Sequence, residues 1–200
     1  MNMIARRMFI VLSVAAFWAV LLVSPVSANA APLQPGGPLP DFKLPIPEHS
    51  ADKEYLGLTT SGAFAIAQIK AQVVIIEIFS MYCPYCQREA PEVNRLYDMI
   101  ENTPTLKGRI KLIGIGAGNT PFEVQVFKGK YSVPFPVFSD EQFTLHKAFG
   151  EVRTPFFIGV RINDDGTHRV FYAKLGGIEG AESFVKLILR LSGLEKEKKP

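Results

Sequence analysis

The chain has 200 residues, of which 48% are hydrophobic, and this content is sufficient for one packed domain. Its formal net charge is +3, and two of the basic residues, Arg6 and Arg7, stand near the N-terminus where residues 1–30 contain no acid. Without those thirty residues the chain is almost neutral. Its charge therefore gives no reason to expect nucleic acid or an anionic membrane as a partner.

Residues 1–30 have the pattern of a secretory signal peptide. Arg6 and Arg7 form its positive start, an uncharged apolar run extends from Met8 to Val23, and Ala28-Asn29-Ala30 matches a signal-peptidase site. We expect cleavage after Ala30 and export, to the periplasm if the source is a bacterium with two membranes. An uncleaved membrane anchor is the alternative, although the run is short for a span.

The next segment, 31–47, is rich in proline and is predicted to be an extended leader. A domain over 48–194 follows, with a charged tail at 195–200. Within it, we predict a loosely paired strand at Lys53–Leu58 and a helical turn at Ala63–Ile69. The almost unbroken β-branched run Val73–Phe79 indicates a central strand buried on both faces.

The elements after this strand are predicted from hydrophobic spacing and turn residues. Helices are expected from Pro84 onward, at Pro121–Tyr131, at Glu141–Phe149 and at Ile178–Leu191, and strands at Ile110–Ile115, Pro136–Phe138, Phe156–Ile162 and Thr167–Ala173. In the second helix, Phe122, Val126 and Phe127 are expected on one side. This order predicts an α/β fold with a central mixed β-sheet flanked by helices.

The chain has two cysteines, Cys83 and Cys86, in a Cys-Pro-Tyr-Cys motif where the buried strand leads into a helix. A disulfide across two residues closes too small a loop to stabilise the fold, so the pair indicates reactivity. The unpaired N–H groups and the dipole of the first helical turn lower the pKa of a thiol there. We therefore predict that Cys83 is the nucleophile and Cys86 the resolving thiol.

A metal site is the alternative for a Cys-x-x-Cys motif. A structural zinc ion would need two more ligands, but no second cysteine pair exists and His49, His146 and His168 are scattered. No glycine-rich phosphate loop follows a strand. We therefore predict neither a metal nor an organic cofactor.

Several residues around the motif make the chain similar to the thioredoxin superfamily. Glu77 lies six residues before Cys83, Pro91 five after Cys86, and Thr154-Pro155 opens a late strand. The central helical insertion (120–131) and the pattern Phe149-Gly150-x-x-x-Thr154-Pro155 most resemble the exported TlpA/ResA-type branch, and the fold is expected to carry an N-terminal extension as well. The resemblance covers about residues 38–192.

The resemblance implies roles for these residues. Glu77 would relay a proton to and from the resolving cysteine, and its burial among isoleucines would raise its pKa. A cis bond at Thr154-Pro155 would let the backbone there pair with substrate. Tyr82, Pro84 and Tyr85 would complete the substrate-binding surface. Tyr82 replaces the usual tryptophan of the family, which bears on substrate preference. Tyr85 differs from the usual residue of this branch inside the motif, and because the dipeptide helps to set the redox potential, the direction of electron flow is open.

The implied function is that of a monomeric thiol–disulfide oxidoreductase of the thioredoxin fold, and the usual task of this branch, the reduction of protein disulfides, is the expected direction. Its partners would be thiols or disulfides of exported proteins, such as apocytochrome c, and a membrane-embedded thiol electron donor. Two rivals share the fold. A peroxiredoxin-like peroxidase would use Ser80 and Arg153 around Cys83. The proline that peroxiredoxins carry seven residues before the cysteine is absent, however, and Ile76 stands in its place. A Sco-like copper chaperone would need His146 as a ligand. Three residues separate the two cysteines of such chaperones, whereas two residues separate Cys83 and Cys86.

Overall fold

The structure is a computed structural model that describes residues 33–197. The predicted signal peptide and the first residues of the leader lie outside this part of the chain. Among the described residues, no helix is long and apolar enough to cross a membrane.

A five-stranded mixed sheet forms the centre of the described chain, as the sequence predicts. Its strands are β3 (Val73–Phe79), β4 (Ile110–Ala117), β5 (Val137–Asp140), β6 (Phe156–Ile162) and β7 (His168–Leu175), in the order β5-β4-β3-β6-β7. The first three are parallel, whereas β6 runs antiparallel to both β3 and β7. A separate two-stranded pair joins β1 (Leu44–Pro45) and β2 (Ala63–Phe64).

The middle strand, β3, is buried at all seven positions. Because successive side chains of a strand point to opposite faces, it contributes to two apolar cores. Val73, Ile75 and Phe79 pack in one core, together with helices α2 (Pro84–Asn102) and α5 (Ala181–Ser192). Val74, Ile76 and Ile78 pack in the other, which the N-terminal extension covers. Glu77 has the same parity as the first set and therefore faces α2.

Helix α2 carries the cysteine motif and begins as predicted, with Cys83 as its N-cap and Pro84 as its first residue. Proline has no N–H to lose at that position. The helix continues through Pro91. Its buried face, formed by Cys86, Ala90, Val93, Leu96 and Ile100, packs against the sheet and α5.

The strand predicted at Lys53–Leu58 is wrong. Ser50–Leu56 forms helix α1, and Gly57 ends it in the left-handed conformation at φ 65° with a backbone bond to Glu54. The segment holds good helix formers and a glycine in the C-cap position, and these local signals prevail over the expected strand. The pairing occurs instead at β2, within the region predicted as a turn, and Ile66–Gln68 adds one 3₁₀ turn.

The insertion helix α3 is correctly placed at Pro121–Lys130, but its buried face is not the predicted one. Phe122 is 76% exposed and Val126 37%, whereas Val124 and Phe127 are buried. The helix is tied down by Phe127, which stacks on Phe79 of β3 with 4.5 Å between ring centroids.

Two further helices are shorter than predicted. Helix α4 covers Thr144–Ala148, because the Asp140 carboxylate accepts the N–H groups of Leu145 and His146 and so sets its start. Helix α5 begins at Ala181 because Gly180, at φ 96°, interrupts the helical backbone before it. The hairpin β6–β7 is confirmed around the turn at 163–166.

Candidate active site

The two cysteines occupy different environments at the start of α2. Cys83 is half-buried, Cys86 is buried, and both are free thiols. The backbone N–H of Cys83 bonds to Ser80 O at 3.0 Å, and its carbonyl accepts the N–H of Gln87 at 3.1 Å. This turn holds the Cys83 sulfur at the unpaired N–H groups of the helix, as the sequence predicts.

The thiol of Cys83 donates a hydrogen bond to the carbonyl oxygen of Thr154, with a distance of 3.3 Å from Sγ to O. Partial burial acts to raise the pKa of Cys83. Hydrogen bonds from the Thr154 side chain and from the backbone of Cys86 and Tyr85 stabilise the thiolate and outweigh burial, so the pKa lies below its ordinary value. A thiol with a lowered pKa and an open face is suited to nucleophilic attack.

The thiol of Cys86 has the opposite character. Burial is the main cause that raises its pKa, and the nearby carboxyl of Glu77 raises it further. Cys86 therefore stays protonated until a base removes its proton. The difference between the two sulfurs matches the roles predicted for them, in which Cys83 attacks and Cys86 resolves.

Glu77 lies in the centre of the sheet, where Gly114 and Phe157 are its strand neighbours. Desolvation, followed by the charges of Glu89 and Cys83, raises the pKa of Glu77 to about 8. Its Oε1 atom is buried and has no hydrogen-bond partner within residues 33–197. An unpaired, buried carboxyl beneath two thiols is a candidate proton carrier, and the expected burial of Glu77 is confirmed.

The peptide bond between Thr154 and Pro155 is cis, as expected from the resemblance. It stands immediately before β6, and the contact to Cys83 brings it to the start of α2 although 71 residues separate the two in sequence. The carbonyl of Pro155 accepts the N–H of Gly176 at 2.9 Å. The predicted substrate-docking segment therefore lies beside the predicted nucleophile.

The aromatic residues of the motif form the outer edge of the site. Tyr82 is 65% exposed and Tyr85 66%. The hydroxyl of Tyr82 donates to the carboxylate of Glu123, and this bond raises the pKa of Tyr82 and lowers that of Glu123. Together with Pro84, these rings form an exposed, largely apolar surface next to Cys83.

Sequence reasoning missed two residues that hold the turn before Cys83. The N–H of Met81 donates to Asn119 Oδ1 at 2.8 Å, and the carbonyl of Met81 accepts Gln87 Nε2 at 2.7 Å. Asn119 is fully buried, and its own backbone carbonyl accepts the hydroxyl of Ser139. An Asn following a glycine-rich strand end is an ordinary turn signal, so only the fold reveals this contact.

Two glutamates of α2 were also missed. Glu89 Oε1 accepts the N–H of Ile178 at 2.7 Å, and Glu92 Oε1 accepts the N–H of Ala181 at the start of α5. These bonds fix the loop after β7 against the cysteine helix. Glu89 and Glu92 lie about one and two helical turns beyond Cys86, so the two bonds hold the loop after β7 next to the cysteine motif.

The histidine that a copper chaperone would need has another partner. The His146 ring nitrogen Nε2 bonds to Val152 O at 2.8 Å. In the described part of the chain, no three His, Cys, Asp or Glu side chains form a group able to hold a metal. The hydrogen bonds named above that lower the pKa of Cys83 come from Thr154 and the motif backbone.

A family model described as the AhpC/TSA family matches residues 35–173, more than half of the chain. Curated relatives include the thiol-disulfide oxidoreductase ResA of Halalkalibacterium halodurans, 26% identical over 125 residues, which cover 62% of this chain and 66% of that protein. ResA of Bacillus thuringiensis is 27% identical over 90 residues, covering 45% of this chain and 49% of the relative. The matched part of the chain thus spans about half to two thirds of the length of these relatives.

Solved structures share the fold. The thioredoxin domain of a thiol-disulfide oxidoreductase from Bacteroides vulgatus superposes with a TM-score of 0.57 at 11% identity, covering 80% of this chain and 99% of that chain. A thiol:disulfide interchange protein of the thioredoxin family from Chlorobium tepidum gives 0.51 at 19% identity, covering 66% and 88%. The expected thioredoxin-like architecture is therefore confirmed.

Proposed function

Since the chain belongs to the AhpC/TSA family of the thioredoxin superfamily and is ResA-like, we propose that it is an exported thiol–disulfide oxidoreductase that reduces protein disulfides. One observation carries the proposal. A Cys83 thiol of lowered pKa lies 3.3 Å from the Thr154 carbonyl, and a buried Cys86 and Glu77 stand behind it.

The first step is attack by the Cys83 thiolate on a substrate disulfide held along Thr154 and Pro155. A bond forms between Cys83 Sγ and one substrate sulfur, while the substrate S–S bond breaks. The second substrate sulfur leaves as a thiolate and takes a proton. The exposed Tyr82 and Tyr85, with Pro84, contact the substrate on either side.

The second step is attack by Cys86 on the mixed disulfide. Glu77, as carboxylate, takes the Cys86 proton through a water molecule, and the Cys86 thiolate then bonds to Cys83 Sγ. The first substrate sulfur is released as a thiolate, so two electrons pass from the Cys83–Cys86 dithiol to the substrate. A carboxyl with a pKa about 8 is well matched to exchanging a proton with a thiol near neutral pH.

The oxidised protein must then receive two electrons from a donor dithiol. We assign this role to a membrane-embedded thiol donor, with exported protein disulfides, such as those of apocytochrome c, as clients. The protein would act as a monomer after export and removal of residues 1–30, in the periplasm of a bacterium with two membranes. The apolar run and the Ala-x-Ala site support this location.

The reduction potential of the Cys83–Cys86 pair tests the direction of electron flow. It is measured by equilibrating residues 31–200 with glutathione redox buffers and counting thiols by alkylation and mass spectrometry. A value near or below about −250 mV supports a reductase, whereas about −120 to −180 mV would identify an oxidant or isomerase instead. A Cys86→Ser protein, which cannot close the disulfide, is the control.

A further inference from the structure

A cavity of about 420 Å³ opens beside the redox site. Its walls come from the first turns of α2, from the segment around the cis peptide and from the loop after β7: Tyr85, Arg88, Glu89, Arg153, Thr154, Pro155, Leu175, Gly176 and Gly177. The Thr154 carbonyl in its wall is the atom that Cys83 Sγ contacts. A chain segment attached to a sulfur at Cys83 can therefore enter this cavity.

Two arginines, carried by different segments of the chain, line the cavity. Arg88, on α2, places its guanidinium 4.5 Å from the centre of the Tyr85 ring, and Arg153 precedes the cis peptide. Both are exposed, and within residues 33–197 neither forms an ion pair with a carboxylate. Their donors are thus available to a ligand in the cavity.

Glu89, the acidic residue in the cavity wall, offsets one of the two positive charges and leaves the other. Its Oε1 atom accepts the N–H of Ile178, which ties the carboxylate to the loop after β7. The remaining wall is largely apolar, because the side chains of Tyr85 and Leu175, which are 66% and 41% exposed, contribute apolar surface to it. The cavity therefore combines an apolar surface with a net positive charge.

We propose that this cavity selects substrates that carry a carboxylate next to the reacting cysteine. The proposal rests on the proposed function and names the substrate class of the same site: a protein segment with Asp or Glu flanking its disulfide. The planar guanidinium of arginine pairs with a carboxylate through two parallel N–H bonds, so Arg88 and Arg153 determine specificity. Apolar groups of the same segment would pack on Tyr85 and Leu175.

The test uses three peptides that differ in the residues flanking one cysteine, which are Glu, Gln or Lys. The cysteine carries a neutral 2-thiopyridyl group, and release of thiopyridone from the peptide by the pre-reduced protein is followed by absorbance. Attack at the peptide sulfur joins it to Cys83, and Cys86 then releases the peptide thiol, so no other reductant is needed. Second-order rate constants are compared at low and high salt.

At low salt, we expect the wild type to react with the Glu peptide about three to ten times faster than with the Gln peptide, and slowest with the Lys peptide. Salt should reduce this preference because the arginines are exposed. Arg88→Gln and Arg153→Gln should each lower the Glu/Gln ratio. Arg190→Gln is the matched control, since Arg190 lies at the far end of the twelve-residue α5 and should leave the ratio unchanged.

An equal rate for Glu and Gln peptides in the wild type would overturn the proposal. So would a preference that persists in the Arg88→Gln, Arg153→Gln double variant. Circular dichroism of each variant establishes that a lost preference is not lost folding. Failure of the proposed function gives a different result. Each peptide would then react as fast with Cys83→Ala as with the wild type, and no selectivity would depend on this site.

Discussion

The buried and the exposed residues of the redox site differ in their contact with solvent. We call Glu77 and Cys86 the floor, and Tyr82, Tyr85, Arg88 and Arg153 the rim. Both floor residues are buried, and desolvation is the largest cause that raises their pKa values. The rim residues are exposed, and they bond to partners at the surface or face the cavity.

This difference in exposure suggests that the two groups of residues have different roles, one in the disulfide chemistry and one in the choice of substrate. At a buried group, one missing partner changes protonation by orders of magnitude, whereas an exposed charge or hydroxyl is screened by solvent. The floor should therefore control whether and at which pH exchange proceeds. The rim should control which substrate arrives. Cys83 belongs to both, because its thiol is half-buried between them.

The largest effects are expected at the cysteines. Cys83→Ala should abolish disulfide exchange, because no other thiol of low pKa exists in this chain of two cysteines. Cys86→Ala should still attack but should accumulate a mixed disulfide at Cys83, since nothing resolves it. Mass spectrometry of the trapped species distinguishes the two variants. Normal turnover by Cys86→Ala would show that the roles are wrongly assigned.

Replacing Glu77 with Gln should slow the resolving step about 100-fold, a typical contribution of a positioned acid or base. The step should also lose its pH dependence near the pKa of Glu77, about 8. Stopped-flow kinetics on a preformed mixed disulfide between pH 6 and 9 measure both. Glu141→Gln, which changes an exposed carboxyl before α4, is the control. An unchanged pH profile in Glu77→Gln would remove Glu77 from the mechanism.

The same carboxyl should make stability depend on pH in the reduced protein. Its folded pKa, about 8, lies above the ordinary value of 4.5, so between these values the unfolded chain releases a proton that the folded chain keeps. The free energy of unfolding should therefore fall by a few kcal/mol as pH rises from about 4.5 to 8. Glu77→Gln should flatten this slope. Urea titrations at several pH values test it, and parallel slopes would contradict it.

A moderate effect is expected at Asn119, which supports the turn before Cys83 from beneath. Asn119→Ala leaves the N–H of Met81 without its partner and should cost about 1 to 3 kcal/mol of stability. The displaced turn should also shift the reduction potential of the cysteine pair. Chemical denaturation and glutathione equilibration measure the two, with the exposed Asn102→Ala as control. A potential equal to that of the wild type would limit Asn119 to a structural role.

The smallest effect is expected on the rim. Tyr82→Phe removes the hydroxyl that bonds to Glu123 but keeps the aromatic surface. The melting temperature should change by less than about 2 °C, as for most exposed substitutions. The pKa of Glu123 should rise toward its ordinary value, which NMR titration detects. Tyr85→Phe is the matched control. A large loss of exchange activity in Tyr82→Phe would place this hydroxyl in the chemistry.

The local sequence pattern predicted those elements whose structure depends on residues close together in the chain. The β-branched run Val73–Phe79 and the helical spacing after Pro84 define a strand and a helix whatever surrounds them. The strand expected at 53–58 is wrong because short helices and short strands have similar local signals, and of the helical turn expected at 63–69 only residues 66–68 are helical. Which face of α3 is buried depended on β3 and β5, so Phe122 and Val126 were assigned to the wrong side.

By itself, the sequence determined the reactive pair, the strand that precedes it, and the carboxyl beneath it. The pair and the strand follow from spacing along one strand–turn–helix unit, where geometry is set by backbone periodicity, and the place of the carboxyl is implied by the family resemblance. Only the fold brings Asn119 to Met81 and places Arg88 and Arg153 in the wall of one cavity. The place of Thr154 beside Cys83 is implied by the family resemblance, and the structure has it. These contacts join segments far apart in the chain, and their positions depend on the order of strands in the sheet rather than on any local pattern.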